Sequence, residues 1–139
     1  MACVLLVSKE KINDPKKWFS NILKSDSEWE KDEYLEEYRN GNIYLSSSDE
    51  FYRFEDMAND CFSYWETAKW LDLAEDNEII YGYYSEDDLS AEFVHIKDSK
   101  CIREYRKYSD DESDNVDEGT LPAFASWVDV AAYVDKEMN

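Results

Sequence analysis

The sequence EIIYGYYSEDDLSAEFVHIKDSKCIREYRKY, residues 78–108, decides the fold of this chain. It contains three segments of strand length that are rich in β-branched and aromatic residues, at 78–84, 91–97 and 101–108. Two short polar connections of turn-like composition separate these segments. The stretch therefore predicts an antiparallel meander. Its alternation of apolar and polar residues is weak, so the sequence leaves open which face of the sheet is buried.

The amino-terminal part predicts one further strand and one helix. The apolar run at residues 2–7 has strand length and predicts a strand that is covered on both faces. Asp14-Pro15 predicts a helix N-cap followed by a helix-opening proline. The apolar residues that follow recur at helical spacing and predict a short amphipathic helix: Trp18, Phe19, Ile22 and Leu23.

The middle of the chain is harder to interpret. Residues 27–30, Ser-Glu-Trp-Glu, fit a capping box and predict a second helix, with Trp29 and Leu35 facing inward and Glu33 and Glu36 outward. Asn40-Gly41 is predicted to end that helix and to introduce a strand at 42–45, and residues 50–54 are a candidate strand. The spacing within residues 57–73 favours a helix, although four of its residues also suit a sheet: Tyr64, Trp65, Thr67 and Trp70.

The last third begins with an acidic segment and ends in a helix. Residues 109–119 are predicted to form a polar loop. Ser126 is predicted to cap a final helix, with Asp129 in capping-box position and an apolar stripe at Trp127, Val130, Ala131 and Val134. Together these elements predict an α+β fold, an antiparallel sheet with packed helices, in a single domain over residues 1–139.

Negative charge is the unusual feature of the composition. The chain has 34 Asp and Glu against 15 Lys and Arg, a formal net charge of −19. Solubility of a small domain needs a net charge of magnitude only about 2–8, and the excess opposes compaction through self-repulsion. We therefore expect the charge to attract a cationic partner. Nucleic acid and anionic membranes are disfavoured as direct ligands, because both require a basic surface.

The cysteines and the amino terminus predict a cytoplasmic protein. Cys3, Cys61 and Cys101 are odd in number, form no CxxC pair and lack zinc-site spacing, as expected of thiols in a reducing compartment. The first apolar run is too short for a signal peptide and has no basic stretch before it. No segment approaches the roughly 18 apolar residues of a membrane span.

Catalytic and metal-binding patterns are weak, so the sequence predicts a protein that is not an enzyme and needs no cofactor or metal. The single histidine, His95, lies inside a predicted strand, and the three glycines cannot form a phosphate-binding loop. Residues 110–115 resemble the start of a calcium loop. The match fails at its sixth and twelfth positions, which are Asn115 and Leu121 rather than glycine and glutamate.

Partner binding is predicted where aromatic residues adjoin acidic clusters, because rings supply buried contact area and carboxylates pair with Lys or Arg. The most favoured stretches are 72–88 and 110–118. A structural hairpin with a polar tip is an equal alternative for the first of them, and the same alternative applies to Tyr105 and Tyr108, which lead into the second. The candidate partner-binding residues are Tyr83, Tyr84, Glu86, Asp87, Asp88, Asp110, Asp111, Glu112, Asp114, Asp117 and Glu118.

Several short segments resemble a known family. The sequences IREY, NVDEG, WVDVA and VD, at residues 102–105, 115–119, 127–131 and 134–135, are similar to the carboxyl-terminal third of small acidic bacterial immunity proteins. Such proteins are encoded beside polymorphic or contact-dependent growth-inhibition toxins. The resemblance implies a cognate toxin domain, often a basic nuclease, that is held inactive in a tight complex. It transfers no binding residue, because these interfaces differ from pair to pair.

Charge complementarity makes this interpretation physically coherent, since an acidic protein can cover the phosphate-binding surface of a nuclease. The alternative is an acidic mimic of nucleic acid that inhibits a restriction enzyme or another DNA-binding protein. A mimic would space its acids like phosphates along an elongated face. This chain has clustered acids and many aromatic residues, which favours the immunity protein.

Overall fold

In the computed structural model, which describes residues 1–23, 28–32, 34 and 37–139, one antiparallel sheet of nine strands carries three α-helices. The strands lie in the order β2-β3-β4-β5-β1-β6-β7-β8-β9. The α+β class predicted from the sequence is thereby confirmed. The strands are β1 Ala2–Ser8, β2 Glu30–Asp32, β3 Glu37–Asn40, β4 Ile43–Ser47, β5 Phe51–Asp56, β6 Ile79–Ser85, β7 Ser90–Lys97, β8 Lys100–Lys107 and β9 Val116–Glu118. The helices are α1 Pro15–Leu23, α2 Thr67–Ala74 and α3 Trp127–Glu137.

The predicted meander and the first strand are confirmed. Strands β6, β7 and β8 pair in sequence, with Tyr81 opposite Val94 and Phe93 opposite Tyr105. Strand β1 lies in the middle of the sheet between β5 and β6. Its residues from Cys3 to Val7 are all buried, because helices or loops cover both faces of the sheet at this point.

One face of the sheet is packed with aromatic residues from α1, α2 and the segment that precedes α2. Phe19 of α1 stacks on Phe54 with their ring centroids 4.4 Å apart. Trp70 of α2 stacks on Tyr81 at 4.5 Å. Because these rings are fully buried, this face holds the larger core of the molecule.

Helix α3 covers the other face. Its buried residues Val130 and Val134 pack with Val4 and Phe93, as the predicted apolar stripe requires. The Ser126 hydroxyl accepts a hydrogen bond from the Val128 amide at 3.3 Å, which confirms the predicted cap. The partner predicted for Asp129 was wrong. Its carboxylate accepts from the Ala125 amide at 2.7 Å, one residue before the cap, and so closes a slightly wider turn.

The helix predicted after residue 27 is wrong. Residues 30–32 form the edge strand β2 and residues 37–40 form its neighbour β3, and Asn40 pairs with Ile43 across a two-residue loop. Asn-Gly followed by a strand is a hairpin signal as well as a helix terminator, and Gly41 adopts the positive φ of +59° that such a turn requires. The other residues of that prediction, Ser27, Glu33, Leu35 and Glu36, lie outside the described residues.

The helix predicted over residues 57–73 is confirmed only at its carboxyl-terminal end, where α2 lies. The Asp56 carboxylate accepts hydrogen bonds from the amides of Ala58 and Cys61, which hold the chain in a turn. Asn59 and Tyr64 then adopt φ angles of +54° and +66°, which a right-handed helix cannot contain. This irregular segment places Tyr64 and Trp65 at the edge of the aromatic core.

A candidate partner-binding cleft

A buried carboxylate forms the centre of a polar network on the aromatic face. Glu92 of β7 is 0% exposed. Its Oε1 accepts hydrogen bonds from the Tyr64 amide and the Tyr81 hydroxyl, both at 2.9 Å. Its Oε2 accepts from Arg106 Nη1 at 2.5 Å and from the Tyr108 hydroxyl. Four donors therefore stabilise the charge of a carboxylate that water does not reach.

Arg106 of β8 connects this carboxylate to the surface. It lies directly opposite Glu92 in the strand register and is 7% exposed. Its Nε donates to Glu104 Oε2 at 2.9 Å, and its Nη2 donates to the carbonyl of Trp65 at 2.8 Å. The guanidinium thus joins both strands to the irregular segment before α2, and two carboxylates balance its charge.

The tyrosines of this network are held in their neutral, donating form. Burial raises the pKa of Tyr81 well above its usual value, and the charge of Glu92 acts in the same direction. Burial also raises the pKa of Tyr108, assisted by the neighbouring Glu92 charge. Since neutral phenols are the donors that Glu92 needs, the network is a stable structural unit at neutral pH rather than a source of protons.

A cleft of about 570 Å³ opens directly above Arg106 and Tyr108. Tyr64 and Trp65 form part of one wall, and Tyr64 is 57% exposed. Among the described residues, one guanidinium and six carboxylates line it. The carboxylates are Glu66, Asp88, Glu104, Asp110, Asp111 and Asp114. Glu92 and Glu104 balance the charge of Arg106. The other five carboxylates therefore give the cleft a negative electrostatic potential.

Two loops from distant parts of the chain are tied together to form the rim. Ser109 donates a hydrogen bond from Oγ to the Asp88 carbonyl at 2.5 Å, which joins the 109–115 segment to the turn between β6 and β7. The Tyr108 amide donates to Asn115 Oδ1 at 2.8 Å. Asp111 accepts from the Ser113 amide and hydroxyl, and these bonds lower the pKa of its carboxyl. These bonds therefore hold the backbone of the rim and the Asp111 carboxylate in place.

The edge strand β9, which was predicted as part of a loop, is held by a second buried arginine. Arg103 is 2% exposed, and its Nη1 donates to Asp117 Oδ1 and to the Glu118 carbonyl, both at 2.7 Å. Its Nε donates to the Pro122 carbonyl at 2.8 Å. These bonds fix the end of the acidic segment against β8.

The structure brings some of the predicted partner-binding residues together and separates the others. Asp88, Asp110, Asp111 and Asp114 line the cleft, and Glu112 is exposed in the short 3-10 turn between the last two. Asp87 is exposed at the β6–β7 turn outside the cleft lining, and Glu86 accepts a hydrogen bond from the amino-terminal NH3⁺ at 2.5 Å. Asp117 and Glu118 lie in β9 and not in the cleft.

The two predicted tyrosines lie outside the cleft lining. Tyr83 is 3% exposed on the aromatic face, where its hydroxyl is 3.4 Å from that of Tyr64. Tyr84 lies on the opposite face and donates from its hydroxyl to Asp135 of α3 at 2.9 Å. Neighbouring residues of a strand point to opposite faces, so one cleft cannot use both.

Sequence reasoning missed the wall residues Tyr64 and Trp65 and the floor residues Glu104 and Arg106. A usable signal was Glu92, a carboxylate between Ala91 and Phe93 in an otherwise apolar strand. Such a residue requires a cationic partner, and the facing strand of the meander offers Arg103 and Arg106.

The described residues give little support for a metal site or for a reactive cysteine. They contain no cluster of three or more His, Cys, Asp or Glu side chains that could hold a metal ion, and this covers the calcium-like segment. Burial raises the pKa of the Cys61 thiol to about 12, and the charges of Asp56 and Asp60 act in the same direction. The Cys61 thiol is therefore protonated and weakly nucleophilic at neutral pH.

Comparison with protein-family models, with curated proteins and with solved structures finds no match to this chain. None of the helices in the described part of the chain has the length and apolarity that crossing a membrane requires.

Proposed function

We propose that this chain is an immunity protein, which binds a basic bacterial toxin domain of the nuclease type and neutralises it by covering its cationic surface. The observation that carries the proposal is the assembly of six carboxylates from separate chain segments around one cleft with aromatic walls. A basic nuclease surface presents Lys and Arg to phosphate. The acidic rim offers the same kind of anionic contacts and competes with nucleic acid for that surface.

The charge of the whole chain supports the same function. A net charge of −19 produces a long-range field that accelerates encounter with a cationic protein. Fast capture protects a cell that makes its own toxin. The fixed loops at the rim also favour tight binding, because little conformational entropy is lost when they dock.

The test is co-expression with the protein encoded by the upstream neighbouring gene. We expect a stable one-to-one complex, loss of the partner's nuclease activity in the complex, and survival of cells that die when the partner is expressed alone. A variant with Asp88→Asn, Asp110→Asn and Asp114→Asn, called the cleft triple variant, should lose protection. A remote triple variant, Glu10→Gln, Asp49→Asn and Glu50→Gln, removes the same charge from exposed positions at the other end of the sheet and should retain it.

Two outcomes would overturn the proposal. If the product of the neighbouring gene neither binds this chain nor is inhibited by it, that product is not a cognate toxin and the proposal is wrong. Specific, tight inhibition of a restriction or repair enzyme in its place would assign the chain to the nucleic-acid mimics.

A further inference from the structure

We propose that the cleft is a socket for a single arginine side chain of the protein partner. The inference rests on the proposed function, since it names the group by which a basic partner is recognised. It goes beyond charge attraction, because it assigns one residue type to one cavity.

The chemistry of the cleft lining fits a guanidinium. Arginine carries five N–H donors in a rigid plane, and its flat faces stack on aromatic rings. The cleft supplies both kinds of contact. The ring centroids of Tyr64 and Tyr108 lie 6.0 Å apart. Glu66, Asp110 and Asp114 line the same cavity and supply carboxylates.

A buried hydroxyl is a second, independent indication of a ligand. Ser90 lines the cleft and is 3% exposed, and its Oγ has no hydrogen-bond partner among the described residues. Burial raises the pKa of the Tyr83 phenol, and the Ser90 hydroxyl lies close enough to oppose that rise, although it is outside hydrogen-bond geometry. A buried hydroxyl without a partner is costly, so a donor from a bound group would stabilise it.

Internal contacts show that this region accommodates cations against its rings. The Lys69 ammonium lies 3.9 Å from the centroid of the Trp65 ring. The Arg106 guanidinium lies beneath the cleft and donates to the Trp65 carbonyl. The Lys69 contact pairs a cation with a ring, and the Arg106 contact pairs a guanidinium with a carbonyl, so an entering arginine side chain would combine the two kinds of contact.

A metal ion is a poorer fit than an organic cation. The carboxylates are distributed around the cleft, and the described residues do not converge three of them on one point. An elongated cation with several separated donors matches such a distribution better than a compact ion does. The exposed acids beside the rim, Asp87 and Glu112, extend the negative surface beyond the cavity, which favours a protein partner over a free small molecule.

The experiment is an NMR titration of the isotope-labelled protein with N-acetyl-arginine methylamide. We expect saturable shifts at the Trp65 indole N–H and at the Ser90 amide. The neutral isostere N-acetyl-citrulline methylamide should cause none. The cleft triple variant should bind the arginine compound about tenfold more weakly, whereas the remote triple variant should bind within about twofold of the wild type.

If both triple variants bound the arginine compound equally weakly, the socket proposal would be wrong. It would also be wrong if the chemical-shift changes were spread over all acidic regions of the protein. A partner that binds the cleft triple variant as tightly as the wild type would also overturn it; if that partner is still inhibited, the chain would be an immunity protein whose contact surface lies outside the cleft. Conversely, binding of the arginine compound in the cleft without inhibition of the neighbouring gene product would reject the proposed function and retain the socket.

Discussion

Glu92 and Arg106 face each other across strands β7 and β8, with Oε2 of the carboxylate 2.5 Å from Nη1 of the guanidinium. Both side chains are buried, and Tyr64, Tyr81 and Tyr108 complete the hydrogen bonds of the carboxylate. Arg106 lines the acidic cleft, and Glu92 holds it from beneath. The pair thereby connects the stability of the sheet to the geometry of the surface that we propose as the binding site.

Replacement of Glu92 by leucine should strongly destabilise the fold. The substitution leaves the buried Arg106 charge only partly balanced and removes the acceptor of two tyrosine hydroxyls. Breaking a buried ion pair on one side costs about 3–5 kcal/mol. Urea unfolding followed by tryptophan fluorescence measures the change in the free energy of unfolding.

The control for this substitution is Glu10→Leu at an exposed position, which should change the free energy of unfolding by no more than about 0.5 kcal/mol. The double variant Glu92→Leu and Arg106→Leu should lose less than the sum of the two single variants, because it removes both charges. Strict additivity would mean that the two side chains do not interact.

Gly119 should tolerate no side chain. It adopts a φ of +88°, and a Cβ there would lie 2.4 Å from the carbonyl oxygen of Ile102. Gly119→Ala should cost about 2–4 kcal/mol, from the positive φ and from displacement of the chain after β9. Gly41→Ala is the matched control, since Gly41 has a φ of +59° and nothing within 4 Å of a Cβ, so it should lose only about 1–2 kcal/mol. Equal losses in urea unfolding would contradict the proposed clash.

The meander and strand β1 could be predicted because their signals are local. Each strand of the meander is a run of β-branched and aromatic residues between polar turns, and Ser126 caps α3 within a single turn. The helix predicted after residue 27 failed for a related reason. The chain there carries a capping-box pattern and an Asn40-Gly41 hairpin signal, and only pairing with β4 decides between them.

The cleft could be predicted only in part. Its rim acids were found because charge is a property of single residues, so Asp88 and the 110–114 segment stood out. Its walls and floor depend on long-range contacts. Tyr64 reaches the cleft because its amide binds Glu92, 28 positions away in sequence, and the pairing of Glu92 with Arg106 depends on strand register. No local pattern specifies either contact.

Stability should fall in alkaline solution. Burial raises the pKa of Cys61 from 9.0 to about 12 and that of Tyr84 from 10.0 to about 12, with the Asp135 hydrogen bond acting in the same direction for Tyr84. These groups remain protonated in the folded chain while they ionise in the unfolded chain. Above pH 9 the unfolded state therefore binds fewer protons than the folded state, and the free energy of unfolding decreases as pH rises towards about 12.

Urea unfolding at a series of pH values measures this decrease, and tyrosinate absorbance follows ionisation directly. The folded protein should develop tyrosinate absorbance at higher pH than the urea-unfolded protein. Coincident titration curves, or stability that is constant from pH 9 upward, would contradict the protection of these side chains.

Association with the basic partner should be governed by the cleft acids rather than by net charge alone. A single-sign field accelerates encounter by about 10–1,000-fold at low salt, and screening confines it to about 8 Å at physiological ionic strength. Stopped-flow mixing with the neighbouring gene product should therefore show an association rate that falls steeply as salt is added.

In low salt the cleft triple variant should associate about tenfold more slowly than the wild type and should also dissociate faster, because it loses direct contacts as well as long-range attraction. The remote triple variant carries the same net charge, and its dissociation rate should stay within about twofold of the wild type. If both triple variants changed association and dissociation alike, the negative charge would act only as a diffuse field, and the cleft would not be the contact surface.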